Sequence, residues 1–124
     1  MENKIVYVLG TENDPYAWEI AKRLKNQMKG VKFVKTIDPS TLPMVGKIIV
    51  MDIVKGIKKP TILSLSDLKE RRIFTLHDFD AGTFLTLMKE IRNVEFIIIG
   101  IPEKTNPEML TEIKELINSS FWSE

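Results

Sequence analysis

Three side chains able to ligate a metal or move a proton stand just past apolar runs of this chain. Asp14 closes the loop Gly10-Thr11-Glu12-Asn13-Asp14 behind Ile5 to Leu9, Asp52 follows Ile48-Ile49-Val50-Met51, and His77, the sole histidine, follows Ile73 to Leu76. Two carboxylates and an imidazole form an oxygen-and-nitrogen donor set that suits a divalent transition metal and leaves positions open for a substrate group. Gly100-Ile101-Pro102-Glu103 follows Phe96-Ile97-Ile98-Ile99 in the same manner. The absence of cysteine removes disulfides, thiolate zinc sites, iron-sulfur clusters and thiol nucleophiles. No Gly-x-Ser-x-Gly occurs, and Ser64, Ser66 and Ser119 lie in no triad context, which argues against a serine hydrolase.

Each candidate also has a plain structural role open to it. Asp14 precedes Pro15 and an amphipathic run, so it is placed to cap a helix with Pro15 at the first helical position. Asp52 can cap a turn at a strand end, although an acid abutting a core strand needs a partner or water. His77 can bond to Asp78 or the backbone, Asp80 reads as a helix cap, and Asp78 as a residue orienting the imidazole. Glu12 is a spare acid in the first loop. Trp18 and Phe121-Trp122 read as packing groups.

The elements that must position these residues repeat a strand-then-helix rhythm. Ile5 to Leu9, Ile48 to Met51 and Phe96 to Ile99 are short continuous apolar runs, which means strands buried on both faces and hence a parallel core. Val31 to Ile37, with its interspersed lysines, suits a more exposed strand; Thr61 to Leu65 and Ile73 to Leu76 are shorter candidates, one of them for an edge hairpin. Ala17, Ile20, Ala21, Leu24 and Met28 recur at helical spacing, as do Phe84, Met88 and Ile91. A last helix starts near Thr105-Asn106-Pro107-Glu108, capped by Thr105 or Asn106, and buries Leu110, Ile113, Leu116 and Ile117. The order implies a single domain over 1–124, a three-layer α/β/α sandwich with a mostly parallel central sheet. Ligands of such sheets bind beyond the carboxyl ends of the strands, where the candidates above converge.

Composition narrows the partners. The 124 residues carry 18 Lys+Arg against 17 Asp+Glu, a net charge of +1, with basic residues in doublets such as Lys58-Lys59 and Arg71-Arg72. Nucleic acid is not expected from that balance. The apolar runs fall far short of the roughly 18 residues that cross a bilayer, and no leader opens the chain, so a cytoplasmic protein is expected. Abundant Lys and Glu with little Gln and no Cys suit a high-temperature organism.

In order and spacing, Val8-Leu9-Gly10 with Asn13-Asp14, Ile49-Val50-Met51-Asp52, Leu76-His77-Asp78-Phe79-Asp80 and Ile99-Gly100-Ile101-Pro102-Glu103 together resemble the nickel-iron hydrogenase maturation endopeptidases. That resemblance spans nearly the whole chain. It implies a phosphorylase/hydrolase-like sandwich in which Asp14, Asp52 and His77 contact nickel, supplied by the substrate, or another divalent transition metal. It further implies a peptidase that removes a C-terminal extension from the hydrogenase large-subunit precursor after nickel insertion. The chain departs from the family pattern in its shorter first loop, with Thr11-Glu12 where members carry Gly-x-Gly-Asn, and in lacking the Gln of Gly-(Ile/Val)-Gln-Pro. Glu12 is therefore the alternative first acid, and a non-proteolytic binding module for a hydrogenase-like partner is the alternative function. A nucleotide binder is the third reading, disfavoured because the first loop has one glycine, no Walker lysine, and two acids that repel phosphate.

Overall fold

The computed structural model describes residues 4–13, 15–43, 45–64, 67, 90 and 93–122. Strand β1 (Lys4–Leu9), helix α1 (Tyr16–Lys25), strand β2 (Val31–Thr36), a 3-10 turn (Pro39–Thr41), strands β3 (Lys47–Val54), β4 (Thr61–Leu63) and β5 (Glu95–Pro102), and helix α2 (Pro107–Trp122) follow in chain order. They build a mixed five-stranded sheet in the order β2-β1-β3-β5-β4. β2, β1, β3 and β5 are parallel, and β4 runs antiparallel to β5.

Side-chain alternation sorts the core into two faces. Val6, Val8, Ile49, Met51, Ile53, Ile99 and Ile101 pack with Ala17, Ile20, Ala21 and Leu24 of α1 and Ile113 and Ile117 of α2, so both helices lie on one face. The other face buries Leu9, Ile48, Val50, Val54, Phe96 and Ile98 together with Leu42, Leu63 and Val94. Burial on both faces is why β3 and β5 read as unbroken apolar runs. The helix expected over Phe84, Met88 and Ile91, and the strand expected at Ile73 to Leu76, lie outside the described residues.

Several elements differ from the sequence expectation. β3 continues through Asp52 to Val54 and β5 through Gly100 to Pro102, so Asp52 and Gly100 sit inside strands rather than after them, held by the pairing Asp52↔Gly100 and Val54↔Pro102. β2 stops at Thr36, one residue short of Ile37. Among the described residues β4 lies at the edge of the sheet, antiparallel to β5, while Ile73 to Leu76, the other candidate for an edge hairpin, lies outside them. Helix α1 begins at Tyr16, with Pro15 at the cap position and no side-chain cap bond; the Pro15 carbonyl accepts the Glu19 N–H at 3.0 Å. Pro15 thus precedes the first helical position it was expected to fill.

For α2 the structure chooses between the two expected caps. Asn106 Oδ1 accepts the Met109 N–H at 3.0 Å, the bond of an N-cap to the third helical residue, and Pro107 occupies the first helical position. Thr105 instead turns its hydroxyl to Tyr16 Oη at the start of α1, tying the two helix starts together. Replacing Asn106 by Ala should lower stability by about 1 kcal/mol, the usual worth of an N-cap, read as a shifted urea midpoint with an unchanged slope.

Candidate functional site

In an open sheet the ligand crevice forms where successive connections leave to opposite sides of one strand. Here β1 connects to β2 on one side, and the chain then returns to lay β3 on the other, so that point falls between β1 and β3. The ladder joining them ends at Val8↔Met51, whereas β3 stays paired with β5 for three residues more. Past Met51 the β1 side of β3 is left without a strand neighbour in the ladder. Asp52 is the first residue beyond that point.

Asp52 is 0% exposed. By alternation it shares the face of Ile48, Val50 and Val54, away from α1 and α2. Its Oδ1 accepts the Ile53 N–H at 2.8 Å, which satisfies a backbone donor just where the β1 ladder has stopped and fixes the carboxylate's orientation. A carboxylate removed from water costs several kcal/mol of lost hydration if it stays charged, so it is an expensive choice for a core strand. Its register partner Gly100 is the residue type that sequence reasoning undervalued. A Cβ at Gly100 would meet Val54 Cγ2 at 3.1 Å and Ile57 and Leu63 Cδ1 at 3.2 Å, so the bare backbone there lets Ile57 close over β5. A glycine interrupting an apolar run signals such close approach in a strand as readily as it signals a strand end.

The loop leaving β1 forms the other wall. The Gly10 N–H bonds to the Thr36 carbonyl at 3.1 Å, and the Trp18 ring lies so close that an added Cβ would meet it at 2.8 Å. The Trp18 indole N–H donates to the Val8 carbonyl at 2.9 Å, and Lys35 Nζ stands 5.2 Å from the ring centroid. Trp18 is thereby a packing and capping group, as expected. Glu12 and Asn13 are exposed at the turn that follows.

Of the expected metal set, Asp52 is described, and it lies inside β3 rather than after it; Asp14 and His77 lie outside the described residues, as do Asp78 and Asp80. Asp52 has the donor chemistry of an oxygen ligand, and its Oδ1 accepts the Ile53 N–H. Among the described residues no three His, Asp or Glu side chains come together to hold a metal ion. Ser64 is committed to structure: its N–H bonds to Asp67 Oδ2 at 2.8 Å and its Oγ accepts the Asp67 N–H at 3.1 Å, a reciprocal capping pair. Ser119 Oγ donates to the Leu116 carbonyl. A cavity of about 480 Å³ opens between Lys4, Gln27, Val31, Thr111 and Lys114, at the amino edge of the sheet, opposite the edge where such folds hold ligands.

No helix among the described residues is long and apolar enough to cross a membrane. Compared with known proteins, the chain matches no family model, no curated protein and no solved structure.

Two substitutions test this geometry. Asp52→Ala strips the Ile53 N–H of its acceptor, whereas Asp52→Asn can keep it, so the alanine variant should be less stable than the asparagine variant by about 1–3 kcal/mol in urea unfolding. Gly10→Ala should cost about 1–3 kcal/mol through overpacking against Trp18, with a change in tryptophan emission.

Proposed function

We propose that the chain is a shortened relative of the nickel-iron hydrogenase maturation endopeptidases, cleaving a C-terminal extension from the hydrogenase large-subunit precursor once nickel is in place. The observation that carries this reading is the fully buried Asp52 at the β1–β3 switch point, the position where the family resemblance expects a metal-contacting aspartate. In this reading Asp14, or Glu12 in its stead, and His77 complete the donor set. The mostly parallel sheet with one reversed edge strand agrees with the phosphorylase/hydrolase-like class. The buried face of Ile48, Val50 and Val54 supports a second helical layer there, and so a three-layer α/β/α sandwich, to which Phe84, Met88 and Ile91 would contribute. A cytoplasmic location belongs to the same proposal.

When bound, a divalent metal supplies Lewis-acid polarisation of the scissile carbonyl. The part of the chain itself is to hold Asp52 at a fixed orientation through Ile53 N–H, in a site shut off from bulk water, where charge interactions are strongest. Where nickel arrives already seated in the precursor, the same carboxylate reads its presence rather than retaining it.

A second reading, a binding module without proteolysis, draws on the compact first loop, since only residues 10–15 separate β1 from α1. The two are separated by assay. Metal-free protein titrated with nickel and zinc should bind one ion, and Asp52→Asn and His77→Ala should each abolish binding while unfolding cooperatively. Normal affinity in either variant rejects the ligand set. Asp14→Asn, which preserves capping chemistry, should lose metal affinity if Asp14 rather than Glu12 is the first acid. Incubation with a nickel-loaded precursor then decides: a shortened large subunit supports the peptidase, and a stable complex with an intact precursor supports the binding module.

A further inference from the structure

The connection from β3 to β4 carries Lys55, Lys58 and Lys59, and no acid, in six residues of a chain whose overall charge is +1. All three lysines are exposed. This connection steps across β5, because β5 lies between the strands it joins. It is pinned at its middle and at its far end: Ile57 lies against bare Gly100, Pro60 is buried, and the Thr61 hydroxyl donates to the Lys59 carbonyl at 2.9 Å. The chain turns at Gly56 with φ 87°. The three cations therefore project from an anchored backbone at the carboxyl edge, one to five residues past the last residue of β3. Lys104 lies on the same edge beyond β5, beside Glu103, whereas the exposed acids Glu12 and Asp38 follow β1 and β2 on the other side of β3.

We propose that this lysine-bearing crossing is a docking rim for an acidic stretch of a partner polypeptide. The charge is concentrated at the carboxyl edge on the β5 side of β3, the strand that bounds the crevice, and the pinned backbone means that little loop entropy is lost on binding. Among the described residues the rim offers no aromatic side chain on which a base can stack, and three or four charges are few for a phosphate backbone; an acidic peptide is the better complement. Charges of this kind steer encounter and orient the partner. The rim stands apart from the metal reading, since its occupant is recognised by charge and the readout is binding, not cleavage.

The probe is a fluorescein-labelled peptide of alternating Glu and Ser, followed by anisotropy at about 0.05 M and about 0.3 M salt, where screening lengths differ severalfold. The full chain should bind it at low salt and release it at high salt. The triple variant Lys55→Gln/Lys58→Gln/Lys59→Gln should weaken binding by about tenfold or more. A variant of equal charge change elsewhere, Lys22→Gln/Lys25→Gln/Lys29→Gln, should leave it unchanged. Circular dichroism and urea midpoints like those of the unaltered protein verify that both variants fold. Absence of binding at low salt, equal weakening by both triple variants, or tighter capture of a single-stranded RNA of matched charge would each overturn the proposal.

Discussion

The eight-residue register between β3 and β5 is the constraint on which the rest of the sheet depends. Both strands are buried on both faces, so a slip of one residue would exchange apolar side chains for apolar side chains, and hydrophobic patterning alone defines the register poorly. The pair that does define it is Asp52↔Gly100. With Gly100 moved, an isoleucine would stand where Ile57 and Leu63 now reach the backbone, and the crossing to β4 would lose its seat. At the other end the Glu95 N–H holds the Gly46 carbonyl at 2.9 Å, so the register is fastened before the strands begin as well as near their ends.

That same pairing links fold to site. β3 reaches Asp52 only because β5 accompanies it beyond the end of the β1 ladder, and a carboxylate there becomes the natural acceptor for the amide that β1 no longer serves. A buried acid at this point weakens a core strand relative to an apolar residue of similar volume. Its placement at the switch point is what gives a functional reading its force, and the pinned lysines stand farther along the same edge. The carboxyl edge thus carries a buried carboxyl group in its depth and exposed lysines on the crossing to β4.

Much of the architecture was legible in the residues. Ile5 to Leu9, Ile48 to Met51 and Phe96 to Ile99 announced the three central parallel strands, because residues buried on both faces leave no polar alternation. Ile20, Leu24, Ile113 and Ile117 announced the helix faces. The strand ends were less legible, since Asp52 and Gly100 look like terminators when read singly and reveal their role only once they face each other across a ladder. The partner of β4 was hidden for a related reason: pairing across a skipped position depends on a segment more than thirty residues later in the chain. Of the candidate site, Asp52 was singled out by its position after a β-branched run, while Gly100 and the Tyr16–Thr105 link were missed, being contacts between distant segments with no local spacing to mark them.

The reversed β4 also bears on how the chain acquires its shape. β3 and β4 are made early and joined by a short connection, but the strand that belongs between them, β5, is made late. Until it arrives, β3 exposes an apolar edge and β4 lacks the neighbour seen in the finished sheet. The sheet must therefore be completed from its middle, by insertion rather than by growth at a rim, and the long-range closure this demands belongs to the slow class of folding steps. During synthesis, the interval before residues 95–102 emerge is when the nascent chain is most open to pairing with the wrong strand.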